Sequence, residues 1–345
     1  MIGGSSGALE VLRQMLGGLP KDFPASIFIV VHVPRESPSN LPAILSRSSA
    51  LKVSHPRDDE PIRAGHVYIA PPDYHMLLHQ DRVRIVRGPR ENRSRPAIDP
   101  LFRSAVRAYD GRVAGVIVSG VLDDGSDGLH LVKSAGGLAI VQEPDDAAFG
   151  DMPRNALEYT KADYVVPAAE LAATLLRVVG EPAKSRNGRP APINRPGNRP
   201  VNRPVNREVK LSELELNAVE DPERNGKPSV FACPECNGAL WEVSNGGPER
   251  FRCRVGHSYT AENLLAEKIS SFETALWEAL RSLEEAATLA RRMAARALRQ
   301  GHRRAADRFD EVAEAKQQHA EALREILLKN WMPPVSEQAP ERKTG

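Results

Sequence analysis

The chain has 345 residues, of which 41% are hydrophobic, with 47 Lys and Arg set against 45 Asp and Glu. That length is more than one compact core usually fills, so two domains, or one domain and an appendage, are expected, and the balanced charge argues neither for nor against an acidic partner. No run approaches the roughly eighteen apolar residues of a membrane helix, and no basic-then-apolar leader opens the chain, so the sequence predicts a cytoplasmic protein without membrane insertion.

From 1 to about 180, short apolar runs alternate with helical spacing, the pattern of an α/β domain with a largely parallel sheet. Residues 26–33 (SIFIVVHV), 113–119 (VAGVIVS) and 138–142 (LAIVQ) are continuous apolar segments, as strands covered on both faces require. Helical spacing recurs over 8–16, 41–48, 100–109, 128–135 and 168–178. Residues 65–87 read instead as short strands and turns, an antiparallel annex to the main sheet. The Pro in Met152-Pro153-Arg154 is placed to open a further helix.

Residues 181–207 repeat Asn-Arg-Pro around Arg195, Arg199 and Arg203, a composition that builds no core and favours an extended spacer. No aromatics interleave with these arginines to stack on bases, so nucleic acid is not the expected partner. The spacer is set at 181–230. A compact patch over 231–260 follows, then a helical hairpin over 261–330 and a disordered tail over 331–345. In the hairpin, Leu265, Ile269, Phe272, Leu276 and Leu283 repeat at helical steps before Gly301, and Phe309, Val312, Ala320, Leu323 and Leu327 after it. These stripes can pair with each other or support self-association with a second copy.

All three cysteines fall in the compact patch. Cys233-Pro-Glu-Cys236 and Cys253-Arg-Val-Gly-His257 give C-x2-C and C-x3-H, four donors of the kind that hold zinc tetrahedrally. With four protein ligands such a site is closed, so a structural zinc in a ribbon-like module is expected. Phe231, Leu240, Trp241, Phe251 and Tyr259 supply a core too small to fold without an ion.

A different chemistry opens the chain. Gly3-Gly4-Ser5-Ser6-Gly7 spells G-x-S-x-G, a serine on a sharp strand-to-helix turn. A hydroxyl becomes a useful nucleophile only beside a base, and the base needs a carboxylate to fix its tautomer. In an open α/β sheet these groups belong at the carboxyl ends of strands. His32 closes the second strand, and Asp123 and Asp124 follow the strand that ends near Ser119. The chain order Ser, His, Asp is not that of the α/β-hydrolases.

These residues resemble the catalytic domain of the CheB-type protein-glutamate methylesterases. The likeness rests on IGGSSGALE, VVHVP, GHVYIAPPDYHM, NRSRPAIDPLF, GVIVSGVLDDGSDGL and FGDMPRNAL, in the family's order and spacing through nearly all of 1–180. It implies a three-layer α/β/α fold, with Ser5 as nucleophile, His32 as base and later acid, and Asp124 as the orienting carboxylate. Asp123 competes for the last role, but the family's G-x-x-x-D-G spacing from Gly120 selects Asp124.

The resemblance further implies hydrolysis of glutamyl methyl esters on a methylated chemoreceptor, with glutamine deamidation as a second activity and no cofactor for catalysis. The oxyanion is expected at the N–H of Ser6 and at the backbone of Val121 and Leu122, where better-known members carry Met and Gly. Those members also begin with a phosphorylatable receiver domain that this sequence lacks, so control by aspartyl phosphate within the chain is not expected. Only Met1 and Ile2 precede Gly3, while a buried strand usually takes about five residues, so either the reading frame opens upstream, which is the expectation, or the first strand is a stub. His75 and Met76 are assigned to packing or to the groove. Arg93 and Arg95 face either solvent or acidic receptor side chains. The alternative to an esterase is a non-catalytic signalling adaptor that recruits partners through its C-terminal helices.

Overall fold

A computed structural model describes residues 1–35, 39–79, 81–109, 111–180, 226–243 and 246–329. The tail expected from 331, and the spacer up to 225, lie outside the described residues. Contacts divide the chain into two compact units between Leu264 and Leu265.

Among the described residues, the first unit is built on ten strands and six helices, followed by a separate small sheet. The strands are β1 (Ile2–Gly4), β2 (Ile27–Val31), β3 (Lys52–Ser54), β4 (Glu60–Pro61), β5 (His66–Ile69), β6 (His75–His79), β7 (Arg82–Val86), β8 (Ala114–Ile117), β9 (Leu138–Gln142) and β10 (Tyr164–Val166). The helices are α1 (Ala8–Gly17), α2 (Leu41–Ser46), α3 (Ile98–Tyr109), α4 (Ser126–Ser134), α5 (Asp151–Tyr159) and α6 (Leu171–Gly180). Seven strands form one parallel sheet in the order β10-β9-β8-β1-β2-β5-β3.

All five residues of β2 are buried, because its pleat sends Ile27, Ile29 and Val31 to one face and Phe28 and Val30 to the other. The first face packs on Leu12 and Leu16 of α1 and Leu171 and Leu175 of α6; the second packs on Ile98 and Phe102 of α3, Leu129 of α4 and Met152 of α5. Three layers result, as the sequence implies. The annex differs in extent: β4, β7 and β6 form the antiparallel sheet, whereas His66–Ile69 joins the main sheet beside β2. There Tyr68 stacks on Phe28, with centroids 5.3 Å apart, and its hydroxyl donates to Pro61 O, so the polar atom of a buried aromatic is satisfied.

The small sheet is antiparallel: β11 (Lys227–Ala232), β12 (Ala239–Val243), β13 (Arg250–Cys253) and β14 (Ser258–Thr260). Its core is six residues, Cys233, Leu240, Phe251, Cys253, Tyr259 and Leu264. What ties it to the large sheet is polar and buried. Arg250 donates to Asp127 at 2.9 Å and to Glu91 at 3.2 Å, and Arg103 of α3 meets the same Glu91 oxygen at 2.5 Å. Thr260 donates its hydroxyl to Asp123 at 2.6 Å, and the Asn263 amide donates to the same oxygen. Backbone bonds complete the seam: Asn92 N–H to Ser258 O at 2.8 Å and Ser258 N–H to Arg90 O at 3.3 Å.

In the second unit, helix α7 (Ala261–Arg299) turns at Gly301 into α8 (Arg303–Lys329). Leu280, Ala320 and Leu327 form its core with Leu276, Leu283 and Leu323, and Arg324 pairs with Glu284, so the two stripes meet within one chain. Among the described residues no helix is long and apolar enough to cross a membrane.

Two outcomes follow from this packing. Gly7 caps α1 at φ 78, and a Cβ there would lie 2.5 Å from Ser119 Oγ and 2.9 Å from Ala148 Cβ. Left-handed strain of roughly 1–2 kcal/mol adds to overpacking of roughly 1–3 kcal/mol, so Gly7→Ala is expected to lower the urea midpoint of the full chain; an unchanged midpoint contradicts this. Asp123 is the second case, since burial lifts its carboxyl to about 6 from 3.8, its two side-chain donors only partly opposing that. The folded state therefore holds a proton the unfolded chain has lost, and stability falls as pH rises from about 4 to about 6. Asp123→Asn keeps an acceptor for Thr260 and cannot ionise. It should flatten that part of the stability curve and exceed the parent in stability at neutral pH; equal slopes for the two proteins refute the assignment.

Candidate active site

Ser5 follows β1 directly and precedes α1, and its turn is made by glycines that admit no side chain. A Cβ on Gly4 would sit 2.7 Å from both Ala8 Cβ and Val118 Cγ2. The Ser5 N–H donates to Ser119 O at 2.9 Å, and Ala8 N–H closes the turn onto Ser5 O at 3.1 Å. Ser119 also braces the elbow with its side chain, donating to Ser6 O at 2.8 Å and accepting from Phe149 N–H at 3.0 Å. Beside it, Gly120 is required: a Cβ there would lie 3.1 Å from Ser5 Cβ and 2.8 Å from the Met152 thioether.

His32 lies one residue past β2, and its N–H donates to Gly4 O at 3.3 Å, which sets it beside Ser5 at the same sheet edge. Its Nε2–H donates to Asp124 Oδ2 at 2.8 Å, with the His32 side chain 19% exposed and Asp124 2%. Asp124 is held on every side. Oδ2 also accepts from Ile98 N–H at 2.7 Å, at the start of α3, while Oδ1 accepts from Asn92 Nδ2 at 2.8 Å and Asp99 N–H at 3.4 Å. Burial pushes the Asp124 carboxyl upward, but the bonds from His32, Ile98 and Asn92 outweigh it and leave the group below its ordinary value. Asp99 moves the opposite way, well above its ordinary value, through burial and then the nearby Asp124 and Asp127 carboxylates. One negative charge is thereby concentrated on the carboxylate that faces the imidazole.

With Asp124 accepting from Nε2–H, the His32 lone pair resides on Nδ1. Among the described residues, neither Nδ1 nor the Ser5 hydroxyl is engaged in a hydrogen bond, so the two groups are neighbours by strand order without a direct bond. The N–H groups of Ser6, Val121 and Leu122 likewise meet no acceptor there. Leu122 has φ 61, a conformation that favours glycine and costs a leucine roughly 1–2 kcal/mol. The backbone at this rim thus keeps the shape that glycine would take.

The structure brings Ser5, His32 and Asp124 to one edge and leaves Asp123 facing Thr260 and Asn263 instead. His75 is fully engaged and buried, with Nε2 donating to Pro89 O at 2.9 Å and Nδ1 accepting from Ala97 N–H at 3.3 Å. Arg95 binds Asp73 at 2.6 Å and Gly88 O at 2.5 Å, which fixes the loop before α3. Asn92, Asp99 and Ser119 are the hydrogen-bonding neighbours of Asp124 and the Ser5 turn that residue spacing does not disclose. Asn92 is the most informative, since its Oδ1 accepts from Thr260 N–H at 3.0 Å while its Nδ2 serves both Asp99 and Asp124.

The second constellation is at the far end of β14. Ligand atoms of Cys233, Cys236, Cys253 and His257 lie within 4.8 Å of one another. His257 Nδ1 is 3.6 Å from Cys233 Sγ and 3.5 Å from Cys253 Sγ, and Cys236 Sγ is 3.6 Å from Cys253 Sγ. A tetrahedron with sulfurs about 2.3 Å from its centre has edges of about 3.8 Å, so this group can hold one metal ion. The His257 Nε2 faces Glu235 at 3.6 Å, the carboxylate that commonly orients a ligating imidazole. Hydrogen bonds from Cys253 and His257 lower the Cys233 thiol, and Cys233 and burial raise that of Cys253.

A family model described as CheB methylesterase matches residues 1–175. A putative protein-glutamate methylesterase/protein-glutamine glutaminase of Leptospira interrogans is 38% identical over 179 residues, 52% of this chain and 93% of that one. A protein-glutamate methylesterase/protein-glutamine glutaminase 2 of Anaeromyxobacter dehalogenans is 38% identical over 171 residues, with the match spanning 50% of each chain. The crystal structure of the Thermotoga maritima CheB methylesterase catalytic domain is 33% identical, with a TM-score of 0.49 over 51% of this chain and 95% of that one. The matched span holds every strand end that carries Ser5, His32 and Asp124, and by it the chain belongs to the CheB methylesterase family.

Proposed function

We propose that this chain hydrolyses methyl esters on glutamate side chains of a chemoreceptor-type protein, and deamidates glutamine at such positions, through Ser5, His32 and Asp124. The observation that carries the reading is the 2.8 Å bond from His32 Nε2 to a buried Asp124, on the strand next to the one that ends at Ser5. The partner named by chemistry is an esterified helix outside the membrane, met at the exposed strand edge.

In this reading Ser5 Oγ attacks the ester carbonyl carbon while its proton passes to His32 Nδ1. Asp124 stabilises the resulting imidazolium and keeps the ring in the tautomer that began with Nδ1 free. The oxyanion is met by Ser6 N–H, at the positive end of α1, and by backbone N–H of Val121 or Leu122; each such donor is commonly worth roughly 100–1,000-fold in rate. The imidazolium then returns its proton to the methoxy oxygen, and methanol leaves. Water repeats the sequence on the acyl-enzyme, freeing the glutamate carboxylate and restoring Ser5. No step calls for a cofactor.

For the cysteine group we propose a structural zinc held by Cys233, Cys236, Cys253 and His257. Three thiolates and one imidazole suit a d10 ion with no open position, which serves folding and not hydrolysis.

The tests use receptor-bearing membranes methylated beforehand. Ser5→Ala is expected to lower methanol release by about 1,000-fold or more, and Asp124→Asn by a comparable factor, with both variants folded by circular dichroism. Full release by Ser5→Ala overturns Ser5 as the nucleophile, whereas a parent that releases no methanol overturns the esterase reading and favours the adaptor. Independently, elemental analysis should find one zinc per chain, and Cys236→Ser should lose it; protein that carries none under reducing, zinc-replete conditions refutes the metal assignment.

A further inference from the structure

We propose that the cysteine-bearing sheet is part of the esterase machinery: Thr260, Asn263 and Asn92 are positioning residues through which an ion bound at Cys233, Cys236, Cys253 and His257 fixes Asp124. The proposal rests on the esterase reading for its consequence in rate, though the relay itself is judged by a separate measurement.

The path is short. His257 is followed at once by β14, whose last residue, Thr260, is three positions on. Thr260 N–H holds Asn92 Oδ1 at 3.0 Å, and Asn92 Nδ2 holds Asp124 Oδ1 at 2.8 Å. On the other flank the Thr260 hydroxyl and the Asn263 amide grip Asp123, the residue before Asp124. Arg250, on the neighbouring strand, secures Asp127 at 2.9 Å, Glu91 at 3.2 Å and Ser258 Oγ at 2.8 Å. A third link starts at the metal group: Glu235 faces His257 Nε2 at 3.6 Å and pairs with Arg90 at 3.3 Å. Both segments that carry Asp124 and its amide donor are therefore clamped from one small module.

That module cannot keep β14 in place by apolar burial alone, because its core is six residues, two of them ligand cysteines. An ion is what gives so small a core a single register. When the ligands are filled, β14 is fixed and Thr260 with it. When they are empty, the seam loosens, and Asp124 loses a donor on one side and a braced neighbour on the other.

Hydrogen exchange on the full chain tests this, comparing protein stripped by chelator under reducing conditions with the same protein reloaded with Zn2+. Removal of zinc should speed exchange in peptides covering 90–99 and 121–127 by about tenfold or more while leaving β8 and β9 unchanged. In zinc-loaded protein, Thr260→Val removes the hydroxyl bond to Asp123 and keeps the N–H bond to Asn92, so it should keep one zinc per chain yet lose protection in the 121–127 peptide. It should also lower kcat by about tenfold with KM within about twofold, and Thr260→Ser should restore both. Equal exchange with and without zinc, or a Thr260→Val protein with parental exchange and kcat, overturns the relay. A zinc-loaded parent that releases no methanol removes the esterase reading alone, and the exchange rates still decide whether the two sheets are coupled.

Discussion

A carboxylate taken out of water remains an anion only where donors replace its lost hydration. Asp124 is that carboxylate here, and much of the first unit is arranged to supply those donors. The start of α3 delivers Ile98 and Asp99 N–H, Asn92 delivers its amide, and His32 supplies the ring N–H. Each donor constrains something larger. The helix must begin at Ile98, Gly125 must take φ 96 so that the Asp124 loop can approach α3, and Gly128 must lack a side chain because Asp99 and Phe102 lie against it. Asn92 and Arg93 adopt φ 47 and 66, a pair of left-handed residues tolerated because the loop is bonded to Ser258 on its outer side.

The seam between the large and small sheets is governed by charge. Glu91 is buried, yet the guanidiniums of Arg103, Arg252 and Arg250 overcome that burial and hold its carboxyl at about 2. Such an assembly adds little net stability over a well-packed apolar contact, since desolvation offsets most of the attraction, but losing one member costs about 3–5 kcal/mol. The arrangement therefore penalises misdocking. Arg250 fits only where Glu91, Asp127 and Ser258 converge, and this sets the register in which Thr260 arrives beside Asn92.

Much of this was legible in the residues. Strands such as 138–142 are continuous apolar runs because both faces are covered, and the cysteine spacing announces its four donors before any coordinate does. The strand His66–Ile69 was obscured by the polar His66 and Tyr68, whose side chains are buried but hydrogen bonded, and by the turn-forming residues around them. Nothing in the spacing of the small sheet's arginines discloses that Arg250 and Arg252 are buried against Glu91. Asn92, Thr260 and Asn263 were illegible for a plainer reason: the bonds that join them across the seam span more than a hundred positions, and no periodicity records a hydrogen bond of that span.

Those long spans bear on how the molecule is made. The bond between Asn92 and Thr260 joins residues separated by 168 positions, and that between Asp123 and Thr260 residues separated by 137. During synthesis the parallel sheet can assemble long before these partners emerge, because domains generally fold as units from the N-terminal side. The nascent sheet thus stands for a time with Glu91, Asp123 and Asp127 still hydrated, and it matures only after the ribosome has passed Asn263.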